Sequence, residues 1–128
     1  MIYNLHKYVK TKLPSVSIGV AGYTNESPDE CVMLFQSGGI VSHYLGREDY
    51  TVQFISRYRD MGKALSELMK VYTAIKNIFR ITLPAVTING TVYPLLIAWQ
   101  ISPMQSPGYI GTDENGRHMY SVNFIVTI

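Results

Sequence analysis

Three histidines, one cysteine and a few acids are the residues whose types could support chemistry. His6, His43 and His118 stand far apart, and none has a cysteine or carboxylate at metal-ligand spacing. They read as satisfied or partly exposed histidines. Cys31 sits in the apolar run Cys31-Val32-Met33-Leu34-Phe35, which predicts a buried, inert thiol. A lone cysteine permits no intrachain disulfide and points to a reducing compartment. The serines lack a Gly-x-Ser-x-Gly elbow, and Gln36-Ser37-Gly38-Gly39 reads as a glycine turn. Gly62-Lys63 lacks the upstream glycine of a phosphate-binding loop. Glu26, Asp29 and Glu30, and separately Glu48-Asp49, could hold a metal or a proton, but loop acids are ordinarily solvated. Asp113-Glu114 opens like a calcium loop whose later acids are missing. No reaction, cofactor or metal is indicated, so the chain reads as a non-enzyme.

Binding is the next class. Arg57, Tyr58 and Arg59 mix cation and aromatic, as single-strand nucleic-acid binders do; the same order suits a sheet face packed on a neighbouring subunit. The net charge of +2 is too small to argue for nucleic acid by electrostatics alone. Lys7, Lys10 and Lys12 precede the first acid, Glu26, and read as a solvated helix face. Charged residues make up 16% of the chain, against about 25% in ordinary domains. This predicts a surface partly covered by partners; the 10 tyrosines fit that reading and fit core packing and strand propensity equally well. No apolar run approaches the ~20 residues of a membrane span, and no signal peptide is expected. Asn89-Gly90-Thr91 reads as a turn.

The elements that must position these residues follow from periodicity. At 128 residues one domain spanning 1–128 is expected. Ile2, Leu5, Val9 and Leu13 recur at helical spacing, and Pro14 ends that helix. Val16–Val20 alternates as a short strand, residues 21–30 form a loop, and Cys31–Gln36 reads as a central strand broken by Ser37-Gly38-Gly39. Residues 40–49 read as a loop or short strand. Tyr50–Arg59 alternates, with Tyr50, Val52, Phe54 and Tyr58 on one face and Arg57 and Arg59 on the other. Asp60 is an N-cap for a helix to about Ile78. Met61, Leu65, Leu68, Met69, Tyr72, Ile75 and Phe79 form its stripe, expected to be core. Arg80–Leu83 is a short strand, and Val86–Tyr93 is a hairpin around Asn89-Gly90. In the C-terminal antiparallel unit, Leu95, Ile97, Trp99 and Ile101 share a face, as do His118, Tyr120, Val122, Phe124, Val126 and Ile128. Asn115-Gly116 marks a second hairpin. The fold class is therefore α+β: a mostly antiparallel, mixed sheet packed against one long helix and one short N-terminal helix.

Val52-Gln53-Phe54-Ile55-Ser56-Arg57 running into a long amphipathic helix resembles the middle of phage minor capsid proteins. Trp99-Gln100-Ile101-Ser102-Pro103, Pro107-Gly108-Tyr109-Ile110-Gly111, Asp113, Gly116-Arg117 and Ser121-Val122-Asn123-Phe124 add to the likeness. Within that group the chain resembles the tail terminator, or tail completion, proteins of long-tailed bacteriophages, from about Leu5 onward; residues 22–49 depart from the pattern. The resemblance implies a virion structural protein of the head-proximal tail, assembled in the host cytoplasm. It implies a hexameric ring that caps the tail tube, stops its polymerisation and offers a docking surface to the head or neck protein. DNA would pass through the lumen without sequence recognition, and no membrane is involved. Two alternatives stay open: a neck protein acting as stopper or adaptor between portal and tail, and a free-standing nucleic-acid-binding α+β module. By strand pattern, Arg57, Arg59, Tyr109, Asp113 and Arg117 are the candidates for subunit or tube contacts, the arginines as exposed residues on sheet strands.

Overall fold

Period-two alternation builds most of the molecule. In the computed structural model, residues 1–20, 29–42 and 47–128 are described. Strands β1 (Ile18–Val20), β2 (Cys31–Ser42), β3 (Arg47–Tyr58), β4 (Ile78–Leu83), β7 (Leu96–Pro103), β8 (Gly108–Thr112) and β9 (His118–Thr127) form one sheet. Its order is β1-β2-β3-β9-β7-β4, with β8 also on β9. Only β1–β2 is parallel; the other pairs are antiparallel. β5 (Val86–Ile88) and β6 (Thr91–Tyr93) form a separate hairpin. Helices α1 (Ile2–Lys12) and α2 (Met61–Ile75) complete an α+β fold with the expected mixed, mostly antiparallel sheet.

β9 holds the sheet together. One side pairs with β3 from Asp49↔Thr127 to Tyr58↔His118. The other side is divided, with β8 on His118–Ser121 and β7 on Phe124–Thr127. The expected face of β9 is the core face: Val122, Phe124 and Val126 are buried and meet Val52 and Phe54 of β3. The Phe54 and Phe124 rings stand edge to face at 5.9 Å, and Tyr72 of α2 lies 6.3 Å from Phe124. Such pairs add about 1 kcal/mol beyond area burial.

Several expectations change. Ser37-Gly38-Gly39 does not end β2. Gly38, at φ 118, lies in a bulge between Gln36 and Gly39, and pairing with β3 resumes to Ser42. One extra residue is absorbed as a bulge, which bends a strand without stopping it. Of the ambiguous residues 40–49, those at 40–42 and 47–49 are therefore strand, and 43–46 lie outside the described residues, as does the stretch 21–28 of the expected loop. α2 begins on its Asp60 cap, whose carboxylate accepts from the Lys63 amide at 3.2 Å. It ends at Ile75 rather than Ile78, because Lys76 turns extended and Asn77 takes φ 51. Asn tolerates that left-handed conformation.

Parts of two apolar faces read from the sequence point outward, although Leu68, Ile75 and Ile101 on them are buried. On α2 the buried residues are Ala64, Leu68, Val71 and Ile75, whereas Met61, Leu65 and Met69 are exposed on the neighbouring flank. The apolar arc is wider than the surface the sheet can cover. Leu95, just before β7, and Ile97 and Trp99 on it are exposed, while Ala98 and Ile101 are buried. Alternation breaks between Ala98 and Ile101, opposite Arg80, whose φ of 51 twists β4. The Arg80 guanidinium sits 5.5 Å from the Trp99 ring, which is 53% exposed.

α1 fastens the edges. Leu5 and Val9 are buried, and the fully buried Asn4 donates through Nδ2 to Pro84 O and Pro94 O, both at 3.0 Å. That pins the β5–β6 hairpin, whose Asn89 and Gly90 take φ 49 and 81 as a tight primed turn requires. On the β1 edge, His6 Nε2 meets Ile18 O at 2.8 Å and Lys10 Nζ donates to Val16 O. A carbonyl only accepts, so His6 carries its proton on Nε2. Side chains thus occupy carbonyls that would otherwise template another strand.

Removing the ring at the sheet–helix junction tests this core. Phe124→Ala is expected to cost about 3–5 kcal/mol, read as a lower urea midpoint with an unchanged slope.

Candidate functional site

The sequence candidates converge at one end of the sheet. Register places Cys31 opposite Arg57, Arg57 opposite Met119, and Tyr58 opposite His118. The start of β2, the end of β3 and the start of β9 therefore lie side by side. Arg59 follows β3, and the β8–β9 turn carries Asp113 and Arg117.

Asp113 builds that turn. Its Oδ1 accepts from the amides of Asn115 at 3.0 Å and Arg117 at 2.9 Å. Its Oδ2 accepts from Arg117 Nε at 2.6 Å. The backbone closes the loop through the Asp113 amide on Arg117 O at 2.9 Å. An aspartate that bonds amides two and four residues on is a local turn template. Of the Asn115-Gly116 pair, Gly116 takes positive φ, at 76. The Arg117 amide holds the Asp113 carboxyl below its ordinary value, opposed by burial and aided by the Arg117 side chain and the Asn115 amide.

Arg117 reaches further. Its Nη1 donates to the carbonyl of Asp29 and to Asp29 Oδ1 at 2.8 Å. Asp29 Oδ2 also accepts from Arg59 Nη2 at 3.1 Å, and Glu30 Oε2 accepts from the Arg59 amide at 3.1 Å. One segment, Asp29-Glu30, therefore ties the β8–β9 turn to the end of β3. The expectation that Arg117 is exposed does not hold: it is 8% exposed and enclosed by its partners. Strand alternation says which side a residue takes, but the covering segment is 88 residues away. Arg59 does present an open surface, with its side chain 63% exposed. Arg57 is half-buried on the face opposite the helices.

Sequence reasoning left Asp29 and Glu30 as solvated loop acids; their role in holding Arg59 and Arg117 was missed. The only hint was two acids immediately before an apolar strand, which named no partner.

Tyr109 forms the other half of the patch. Its hydroxyl lies 3.0 Å from both His118 Nδ1 and Thr112 Oγ1, and its ring stands 5.2 Å from Tyr120. It is exposed.

Chemically the cluster is a cross-linked binding surface. Its carboxylates are engaged by arginines and amides. Cys31 lies beneath it, fully buried, and burial pushes its thiol up while the Arg57 guanidinium pulls the other way. A buried, protonated thiol is a poor nucleophile. Burial and then the charge of Glu67 push Tyr58 up to about 12. Among the described residues, no group of three or more His, Cys, Asp or Glu is placed to hold a metal ion. No helix among the described residues is long and apolar enough to cross a membrane.

Elsewhere on the described surface, large apolar side chains stand in solvent. Phe79, Val92, Leu95, Trp99, Met104 and Ile110 are each about half exposed or more.

The family model described as "Bacteriophage tail terminator protein" matches residues 5–128. Comparison with curated proteins gave no match.

Two variants separate the roles within the cluster. Arg117→Ala removes an enclosed guanidinium and its charge-assisted hydrogen bonds from two solvent-accessible acids, and is expected to cost roughly 1–3 kcal/mol. Arg59→Ala, at an exposed pair, should cost less than about 1 kcal/mol. Denaturant midpoints compare them. The acid limb gives a second check. Because the folded Asp113 carboxyl is depressed, its stabilisation is complete above the ordinary value of 3.8 and is lost as pH falls through the folded value. Asp113→Asn should therefore lower stability at pH 7 and flatten its decline in acid, followed by thermal melts from pH 7 downward.

Proposed function

The chain belongs to the bacteriophage tail terminator family, and from that membership we propose that it acts as a closed hexameric ring on the head-proximal end of the tail tube. The family match across residues 5–128 is the observation that carries this reading. As a structural component of the virion tail, the chain meets tail and head components. In the proposal the ring covers the surface on which tube subunits add and offers no equivalent surface above, so growth stops. The upper face receives the filled head or its neck protein, and DNA passes through the lumen. The work is occupation and docking, with no reaction.

The structure supports this reading in two ways. First, the exposed apolar residues lie on different elements: Met61, Leu65 and Met69 on α2, Trp99 and Ile97 on β7, and Ile110 on β8. A head-to-tail contact uses two different surfaces of one subunit and closes a ring when its rotation allows. Second, the polar cluster is rigidly cross-linked. We propose Arg57, Arg59 and Tyr109 as its subunit- or tube-facing side chains, and Asp113 and Arg117 as the pair that shapes the turn presenting them.

Deleting the gene from its phage should give overlong tails without heads, scored by electron microscopy, and the purified chain should form rings with a central hole. Tails of normal length beside heads that leak DNA would replace this reading with the neck protein. Salt-sensitive single-strand binding without rings would replace it with the nucleic-acid module.

A further inference from the structure

Resting on the ring reading, we propose that subunits join by inserting a β8 knob, Tyr109-Ile110, into the groove beside α2 of the next copy. The groove is about 700 Å³, and its walls include Leu13 at the end of α1 and Gly62, Leu65, Met69, Lys70 and Ala74 of α2. Leu65 and Met69 are the stripe residues the sheet leaves uncovered. Met is flexible and polarisable, so such a wall adapts to an inserted side chain.

The knob is made by a bulge. Tyr109 pairs with Tyr120, but the next pair is Gly111 with Met119, leaving Ile110 as an extra residue. Gly111 takes φ 121, a conformation that favours glycine. A bulge re-aims the side chain it frees. Here it leaves an isoleucine 49% exposed on a strand that pairs with β9 alone. Tyr109 beside it is held by His118 and Thr112, so the knob is ordered before it binds, which lowers the entropic cost of docking.

Charge identifies the occupant as a second copy. Lys7, Lys10, Lys12, Lys63, Lys70 and Lys76, every lysine in the chain, lie on the two helices or the α2 C-cap. The only acids there are Glu67 and the cap Asp60. The groove wall itself carries Lys70, paired with Glu67 at 2.9 Å, and it opens in a helix layer where lysines outnumber acids. Past Gly111 and Thr112 come Asp113, whose carboxylate is held by Arg117, and Glu114, the acid of that turn that is exposed. An apolar knob with an acidic border fits an apolar groove with a basic border, and complementary borders fix the register of an interface. The two surfaces lie on different layers of one chain, so each subunit can give one and receive the other.

Cysteines at the two sites test the contact. In Met69→Cys/Ile110→Cys, oxidation by copper phenanthroline should give a disulfide-linked ladder up to the full ring on a non-reducing gel. Each single variant alone should give no ladder, and an equimolar mixture of the two should stop at a dimer. Leu65→Glu and Ile110→Glu change exposed residues; each should keep the wild-type urea midpoint yet abolish rings by native mass measurement. Wild-type rings without a ladder, or rings that survive both glutamates, would overturn the knob-in-groove contact and leave the ring reading standing. Loss of tube binding by Leu65→Glu with rings intact would overturn it too, and would give the groove to the tube. Absence of wild-type rings, even on tube tips, would remove the ring reading itself.

Discussion

The double-sided pairing of β9 is the constraint on which the rest depends. A buried strand must satisfy its backbone on both sides. β3 serves one side along ten register pairs from Asp49↔Thr127 to Tyr58↔His118. The other side needs two strands, β8 and β7, because neither spans it. That division brings the chain past β9 twice and leaves β8 as a short flank with its outer side open. The same register sets the polar end of the sheet, since Tyr58 meets His118 and Arg57 meets Met119. The helix layer follows from the opposite face, where Phe54, Phe124 and Tyr72 meet.

Much of this was legible in the sequence because its signals are local. The alternation of Tyr50–Arg59 and of the last eleven residues gave β3 and β9, Asn89-Gly90 gave the tight hairpin, and Asp60 gave the cap. What could not be read is which side of an alternating or periodic element meets its own chain. Leu95, Ile97 and Trp99 share a face as expected, yet the core takes Ala98. An inserted residue at Gly38–Gly39 and a left-handed Arg80 change facing without a mark in hydrophobicity. The Arg117–Asp29 pair was illegible for another reason. It joins residues far apart in sequence, and nothing near either one names the other.

The misassigned faces share one cause. Met61, Leu65 and Met69 were expected in a core because they are apolar at the right spacing; they, and Ile97 and Trp99 of the apolar β7 face, are exposed in the lone subunit. Hydrophobic patterning reports that a side chain is to be covered, not by which molecule. In a monomer these residues would be a liability. In the proposed ring they are where the core of one subunit continues into the next, which accounts for the low share of charge as well.

A terminator must also avoid extending the tube it stops, and sheet edges are the natural place for unwanted growth. At β1 the carbonyls of Val16 and Ile18 are occupied by Lys10 and His6 of α1. At β8 the edge is short, bulged and bordered by Asp113 and Glu114. Neither of these two edges offers a flat ladder for a further strand; β4 is the remaining edge. The contact proposed for the ring uses side-chain surfaces, and a head-to-tail contact of that kind is exhausted once the ring closes. Closure and termination thus share a physical origin in the proposal: the head-to-tail surfaces are paired within the ring, one face is set against the tube below, and the other is left to the head or its neck protein.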